Sequence, residues 1–122
     1  MRVLIIDDEK SVADTLVMIL QSEGHEAAAA YNGPTALEKI DSFIPDCVIS
    51  DVIMPGMNGI EVCATLETRH PRCQFLLFSG QASSNELVEK ARADGHTWEL
   101  LAKPIDPGEL LTKLASLDSI SG

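Results

Sequence analysis

Residues 3–9 of the chain read VLIIDDE, so that four apolar side chains run directly into three carboxylates. A short apolar run without alternation is typical of a strand that is buried on both faces of a parallel sheet. Carboxylates that lie together repel one another unless a cation joins them. The stretch therefore predicts a buried strand whose carboxyl end must be matched by positive charge.

Short β-like segments alternate with helical patterns along the rest of the chain. The predicted strands are Arg2–Ile6, Glu26–Ala30, Cys47–Ser50, Gln74–Phe78 and Thr97–Ala102. The second of these has helix propensity, because it reads EAAAA, and its place in the alternation predicts an edge strand instead. Five strands that alternate with five helices predict an α/β fold, a doubly wound parallel sheet with helices on both faces.

Helix boundary signals stand between the predicted strands. Gly24 and Gly95 are natural residues to follow a helix C-terminus, and Pro34 suits the first turn of the second helix. Capping boxes begin at Asn58, with Glu three residues on, and at Ser83, again with Glu three residues on. These signals fix the positions of the helices that cross from strand to strand.

Composition limits the possible functions. With 122 residues and 45% apolar side chains, the chain predicts one globular domain, residues 1–122. The net charge of −10 argues against direct binding of nucleic acid, which needs cations against its phosphates. No apolar run reaches the length of a membrane span and no signal peptide is present, so we expect a cytoplasmic protein.

Cysteine and histidine side chains give no sign of a metal site. Cys47, Cys63 and Cys73 form no C-x-x-C pair and are odd in number, which predicts reduced thiols. The three histidines fall in loop-like segments and are expected to face solvent: His25, His70 and His96.

Polar side chains follow four of the five predicted strands. Asp7 and Asp8 follow the first, Asp51 the third, Ser79 the fourth and Lys103 the fifth. In a doubly wound sheet these strand ends share one edge, so three carboxylates, a hydroxyl and an ammonium should converge. Oxygen ligands of this kind suit Mg²⁺. If Asp7 and Asp8 only capped the first helix, the arrival of the other three side chains would have no explanation.

Four motifs resemble one known family. They are Ile5–Glu9 (IIDDE), Asp51–Gly59 (DVIMPGMNG), Phe78–Gly80 (FSG) and Ala102–Pro104 (AKP). In this order and spacing they are similar to the receiver domain of two-component response regulators, over essentially the whole chain. The resemblance implies a flavodoxin-like (βα)5 fold, with strand order 2-1-3-4-5, and a single receiver domain.

The resemblance also implies a magnesium site. Asp8 and Asp51 would bind Mg²⁺ directly, together with the backbone carbonyl of Ile53. Asp7 would act through a metal-bound water. The peptide bond before Pro104 is expected to be cis.

By the same resemblance, Asp51 is the expected phosphoacceptor. A histidine kinase or a histidine phosphotransfer protein would supply the phosphoryl group, Ser79 would hydrogen-bond one of its oxygens and Lys103 would pair with another. The protein would then be no enzyme beyond catalysing its own phosphorylation and dephosphorylation. Its output protein is not identified by the sequence, and neither nucleic acid nor membrane is an expected direct partner.

Two features depart from the family pattern. Leu100 stands where the family usually has Phe or Tyr, and one extra residue precedes Lys103 after Gly95. Coupling through a mobile aromatic should therefore be weak, and we expect readout through the segment after Ser79 and the fourth helix. Trp98 is expected to pack over the lower end of the sheet.

Two other classes remain as alternatives. A phosphatase of the haloacid-dehalogenase type also uses a strand-end aspartate and Mg²⁺, but its Asp-x-Asp loop is absent after Asp51. A flavodoxin-like cofactor binder would need a hydroxyl- and glycine-rich phosphate loop after the first strand, where carboxylates stand. The start at Met1 and the tail Ser119–Gly122 favour a stand-alone receiver over a domain of a larger regulator.

Overall fold

The computed structural model describes residues 1–80 and 84–121, which form strands and helices in strict alternation. The strands are β1 (Arg2–Ile6), β2 (Glu26–Ala30), β3 (Cys47–Asp51), β4 (Gln74–Ser79) and β5 (Glu99–Ala102). The helices are α1 (Lys10–Ser22), α2 (Gly33–Phe43), α3 (Gly59–Arg69), α4 (Ser84–Ala93) and α5 (Pro107–Ser121).

The sheet is parallel, with strand order β2-β1-β3-β4-β5. This order confirms the predicted doubly wound fold. The alanine-rich segment is an edge strand, as predicted, because Glu26–Ala30 pairs residue by residue with Arg2–Ile6. Pairing with a neighbouring strand thus outweighs the helix propensity of the alanines.

The predicted limits of β5 were wrong at its amino end. The strand begins at Glu99 and not at Thr97, since pairing with β4 starts only where Glu99 meets Leu76. β3 and β4 each extend one residue further than predicted, to Asp51 and Ser79. Two of the predicted site residues, Asp51 and Ser79, are therefore the last residues of β3 and β4.

Two apolar layers cover the two faces of the sheet. Because side chains alternate along a strand, successive residues of β1 enter different layers: Leu4 packs under α2 and α3, whereas Ile5 packs under α1 and α5. All of β3 is buried, as expected for a central strand. Within the part of the chain that the structure describes, no helix is both long and apolar enough to cross a bilayer.

Polar caps fix the helix ends that border the carboxyl edge of the sheet. Asn58 caps α3 in the predicted capping box: its side chain accepts from the backbone N–H of Glu61, and the Glu61 carboxylate accepts from the backbone N–H of Asn58. Asn32 caps α2 by accepting a hydrogen bond from the backbone N–H of Thr35. The cap predicted at Ser83 lies outside the described residues.

Candidate functional site

Three carboxylates meet at the carboxyl edge of the sheet. β1 and β3 are neighbours in register, with Ile6 opposite Ser50, so that Asp7 comes to lie beside Asp51. Asp7, Asp8 and Asp51 each offer one oxygen within 4.8 Å of the others. Asp7 and Asp51 are buried and Asp8 is exposed. The predicted clustering is confirmed.

Lys103 supplies the positive charge. Its Nζ lies 2.8 Å from Oδ2 of Asp51, 3.4 Å from Oδ2 of Asp7 and 3.9 Å from Oε1 of Glu9. The backbone N–H of Lys103 donates to the carbonyl of Ser79, which anchors it against β4. The Lys103–Pro104 peptide bond is cis, as predicted. The ammonium thus points into the carboxylate cluster.

Burial and neighbouring charges shift the pKa values of Asp7 and Lys103. Burial has the largest effect on Asp7 and raises its pKa, and the nearby charge of Asp51 raises it further. The backbone N–H of Glu9 and the Lys103 ammonium lower the pKa of Asp7, but the net pKa lies above its ordinary value. Burial lowers the pKa of Lys103, but its hydrogen bond to Asp51 and the charges of Asp51 and Asp7 outweigh burial. The net pKa of Lys103 is raised, so the side chain stays charged at neutral pH.

The backbone after Asp51 packs tightly against the start of α3. Oδ1 of Asp51 accepts a hydrogen bond of 3.3 Å from the backbone N–H of Ile53. The N–H of Gly59 donates to the carbonyl of Val52 at 2.8 Å, and a Cβ on Gly59 would overlap the carbonyl group of Asp51. A glycine is therefore required where α3 begins.

An open cleft of about 510 Å³ lies above these groups. Asp8, Asp51, Ser79 and Lys103 line it, together with Glu9, Gly80 and the segment from Ile53 to Pro55. Asp7 is fully buried and is absent from the lining. Five of the six predicted site residues therefore line the cleft, and the sixth, Asp7, lies buried beneath them.

Comparison with known proteins identifies the family. The family model described as the response regulator receiver domain matches residues 3–115. The chain belongs to this family. The receiver is 33% identical over 117 residues to the response regulator MprA of Mycobacterium avium (strain 104), covering 96% of this chain and 50% of that protein. It thus spans about half the length of the curated relatives it matches.

Solved structures agree with the family assignment. The chemotaxis protein CheY4 of Vibrio cholerae superposes with a TM-score of 0.84 at 30% identity, covering 95% of this chain and 97% of that one. A CheY-like response regulator receiver domain protein from Methanospirillum hungatei JF-1 gives a TM-score of 0.82 at 27% identity, covering 97% and 94%. The receiver fold therefore extends over nearly the whole chain.

Polar contacts connect the segment before β5 to α3, and the sequence did not predict them. The ring of His96 stacks on Trp98, with centroids 4.2 Å apart, and its Nδ1 lies 3.2 Å from Oε1 of Glu67. The Trp98 indole N–H donates to the other oxygen of Glu67 at 2.9 Å. The expectation that His96 faces solvent was wrong, because Glu67 on α3 and the Trp98 ring hold it. Trp98 itself packs on Phe75, at the lower end of β4 as expected.

Glu9, Ser50 and Phe78 also border the site but were not singled out for roles there. Glu9 stands in the first motif, and its carboxylate is a third anion near Lys103. The Ser50 hydroxyl donates to the Asp51 carbonyl at 3.0 Å, and the Lys103 ammonium lies 5.0 Å from the centre of the Phe78 ring. Ser50 and Phe78 could have been indicated only by their positions just before Asp51 and Ser79, and Glu9 only by its position directly after Asp8.

Proposed function

We propose that Asp51 of this receiver is the phosphoacceptor and that it takes its phosphoryl group from a phosphohistidine on a histidine kinase or a histidine phosphotransfer protein. The observation that carries the proposal is the position of the Asp51 carboxylate. It lines the open cleft, where the Lys103 ammonium lies 2.8 Å from Oδ2 and the backbone N–H of Ile53 donates to Oδ1 at 3.3 Å.

The donor set fits a hard divalent cation. Three carboxylates offer oxygens within 4.8 Å of one another, and Ile53 borders the same cleft. We propose that Asp8, Asp51 and the Ile53 carbonyl hold Mg²⁺, with Asp7 acting through a water. Bound Mg²⁺ would neutralise charge on the oxygens of the transferring phosphoryl group.

The transfer itself needs little from the protein beyond position and charge. An oxygen of Asp51 forms a bond to phosphorus as the bond from phosphorus to the imidazole nitrogen breaks, and the electron pair returns to the imidazole. Lys103, which stays charged, pairs with a phosphoryl oxygen, and the Ser79 hydroxyl donates to another. Water later cleaves the acyl phosphate and restores the carboxylate.

Phosphorylation would then act as a switch. The modification adds about −1.5 to −2 charges and strong acceptor oxygens beside Ser79. We propose that Ser79 moves toward them and that α4 shifts in response, changing the surface offered to an output protein. Residues 81–83, through which readout was also expected, lie outside the described residues. Leu100 has no ring to move with Ser79, so the change is read through α4.

The remaining expectations follow from this role. We propose that residues 1–122 form a single receiver domain and that its only catalysis is on its own phosphorylation state. The three cysteines are free and buried, which suits the reducing cytoplasm. The family assignment favours neither a haloacid-dehalogenase-type phosphatase nor a flavodoxin-like cofactor binder.

Intact mass after incubation with acetyl phosphate and Mg²⁺ tests the proposal. The wild-type protein should gain one phosphoryl group that is released at alkaline pH, as an acyl phosphate is. Asp51→Asn should gain none, whereas Asp94→Asn, a change in an exposed carboxylate after α4, should behave as wild type. Equal labelling of Asp51→Asn and the wild type would refute Asp51 as the acceptor.

A further inference from the structure

Glu9 lines the cleft above Asp51 without a part in the proposed function. Asp7, Asp8 and Asp51 are the three carboxylates of the described chain whose oxygens lie within 4.8 Å of one another, and Glu9 is not among them. A cation held by those three carboxylates would therefore leave the negative charge of Glu9 in place. This charge faces whatever enters the cleft.

The Glu9 side chain does not serve the helix that it precedes. Glu9 is the N-cap residue of α1, yet its side chain makes no capping hydrogen bond. Its backbone carbonyl accepts from the N–H groups of Val12 and Ala13 instead. The carboxylate extends toward the cleft, where Oε1 lies 3.9 Å from Nζ of Lys103. Formation of α1 therefore does not explain where the carboxylate lies.

The leaving group of a phosphodonor departs on the side of the cleft where Glu9 is exposed. Phosphoryl transfer is roughly in line, so the leaving group stands on the side of phosphorus away from Asp51. The Asp51 side chain is 9% exposed, whereas the Glu9 side chain is 64% exposed. Lys103, which would hold a phosphoryl oxygen, lies between these two carboxylates. A leaving group that points to solvent therefore departs within reach of the charge of Glu9.

Phosphodonors differ in the charge of that leaving group. Acetyl phosphate releases acetate, an anion, whereas phosphoramidate carries a positive nitrogen at neutral pH and releases ammonia. A phosphohistidine resembles phosphoramidate, because its ring leaves as neutral imidazole once the other ring nitrogen is protonated. In each case an oxygen of Asp51 bonds to phosphorus while the bond from phosphorus to the leaving atom breaks, and the leaving atom keeps the electron pair. A nearby carboxylate stabilises a positive leaving group and repels a negative one.

We propose that Glu9 determines phosphodonor specificity, favouring donors with a nitrogen leaving group, such as phosphohistidine, over acyl phosphates. This inference rests on the proposed function of Asp51. The Glu9 carboxylate attracts a protonated nitrogen and repels a departing carboxylate, so that one side chain supplies both the attractive and the repulsive element of the discrimination. Because Glu9 is neither the acceptor nor a proposed Mg²⁺ ligand, its removal changes the choice of donor and does not abolish transfer.

Rates of phosphorylation by two small donors test the proposal. The second-order rate constants of the wild type and of Glu9→Gln are measured by intact mass with acetyl phosphate and with phosphoramidate, each with Mg²⁺. Glu9→Gln should react roughly threefold faster with acetyl phosphate and roughly threefold more slowly with phosphoramidate. Added salt should reduce the difference between the two proteins, because the Glu9 side chain is largely exposed.

The ratio of the two rate constants separates donor choice from other effects of the substitution. Loss of Glu9 also frees the Lys103 ammonium, but that change acts on both donors in the same direction and cancels in the ratio. Glu38→Gln is the matched control, since it removes an exposed carboxylate from α2 with the same change in net charge. Its ratio should equal that of the wild type.

The outcomes distinguish this inference from the proposed function. An unchanged or opposite ratio for Glu9→Gln, with labelling still confined to Asp51, overturns the inference and leaves the proposed function intact. Equal changes in both rate constants would assign Glu9 to holding Lys103 and would also overturn it. The same shift in Glu38→Gln would mean that net charge, and not Glu9, sets the preference. Labelling of Asp51→Asn would instead refute the proposed acceptor.

Discussion

The Lys103 ammonium lies 2.8 Å from Oδ2 of Asp51, which makes it the closest positive charge to the proposed acceptor oxygen in the described chain. The same ammonium reaches the fully buried Asp7 at 3.4 Å. One lysine thus holds together two buried carboxylates that would otherwise repel each other. The stability of the fold and the chemistry of the site therefore depend on the same side chain.

Lys103→Met should destabilise the protein by about 2 kcal/mol at neutral pH, because it leaves two buried carboxylates without their cation. The loss should shrink as the pH falls and Asp7, whose pKa is raised, takes up a proton. Urea denaturation across this pH range measures both effects. Lys90→Met, on the exposed side of α4, is the control, and a loss independent of pH would contradict the charge argument.

Asp7→Asn should stabilise the protein at neutral pH, by on the order of 1 kcal/mol, while abolishing most phosphorylation. The folded protein holds the Asp7 proton more tightly than the unfolded chain, since burial raises its pKa. The contribution of this carboxyl to stability is therefore full at low pH and is lost as the pH rises through the raised pKa.

Thermal unfolding of Asp7→Asn and of Asp8→Asn at several pH values tests whether loss of the Asp7 charge stabilises the protein at neutral pH. The exposed Asp8 should show little change in stability. A less stable Asp7→Asn variant at neutral pH would mean that the hydrogen bonds of the Asp7 carboxylate outweigh its burial.

The alternation of strands and helices predicted the parallel sheet and the edge at which the site lies, whereas the strand order was implied only by the resemblance to the receiver family. The sequence predicted three carboxylates but not their division into buried Asp7 and Asp51 and exposed Asp8. That division depends on how the chain turns after β1, toward α1. The local pattern of apolar and polar residues does not determine how the chain turns between β1 and α1.

The start of β5 shows a second limit. Thr97 and Trp98 have strand propensity, yet they precede the strand, and Trp98 is held by Glu67, 31 residues away along the chain. Contacts between distant residues decide such positions, and a single sequence does not display them.

Gly59→Ala should destabilise the protein by about 3 kcal/mol, because the added Cβ would overlap the backbone carbonyl of Asp51. Gly108→Ala is a matched control, since a Cβ there meets only Oδ1 of Asp106 at 3.6 Å. Urea denaturation of both variants measures the difference. A loss below about 1 kcal/mol for Gly59→Ala would show that α3 can move away from β3 at little cost.

Ile53→Asn should shorten the lifetime of the acyl phosphate severalfold. Ile53 lines the cleft beside Asp51 and cannot orient a water molecule, whereas an asparagine amide can. Decay of the phosphorylated mass after removal of the phosphodonor measures the rate. Ile53→Leu should decay as slowly as the wild type, and identical rates for all three proteins would count against a role for this position.

Mg²⁺ should leave the fluorescence of Trp98 almost unchanged. The ring packs on Phe75, whose Cα lies four residues before Ser79, or roughly 13 Å along β4 from the site. Glu67→Ala should shift the emission instead, because it removes the hydrogen bond of the indole N–H. Strong quenching by Mg²⁺ would place Trp98 near the cation and would contradict the register of β5.

The three cysteines are divided between the apolar layers on the two faces of the sheet, so that alkylation can be followed in each layer separately. Cys47 belongs to the layer under α1 and α5, whereas Cys63 and Cys73 belong to the layer under α2, α3 and α4. Burial raises the pKa of all three thiols, so that a thiol-reactive reagent modifies each one only when its surroundings open. The order in which the cysteines of the native protein are alkylated therefore reports which of the two layers opens first. The same measurement on the phosphorylated protein reports whether phosphorylation opens one layer alone.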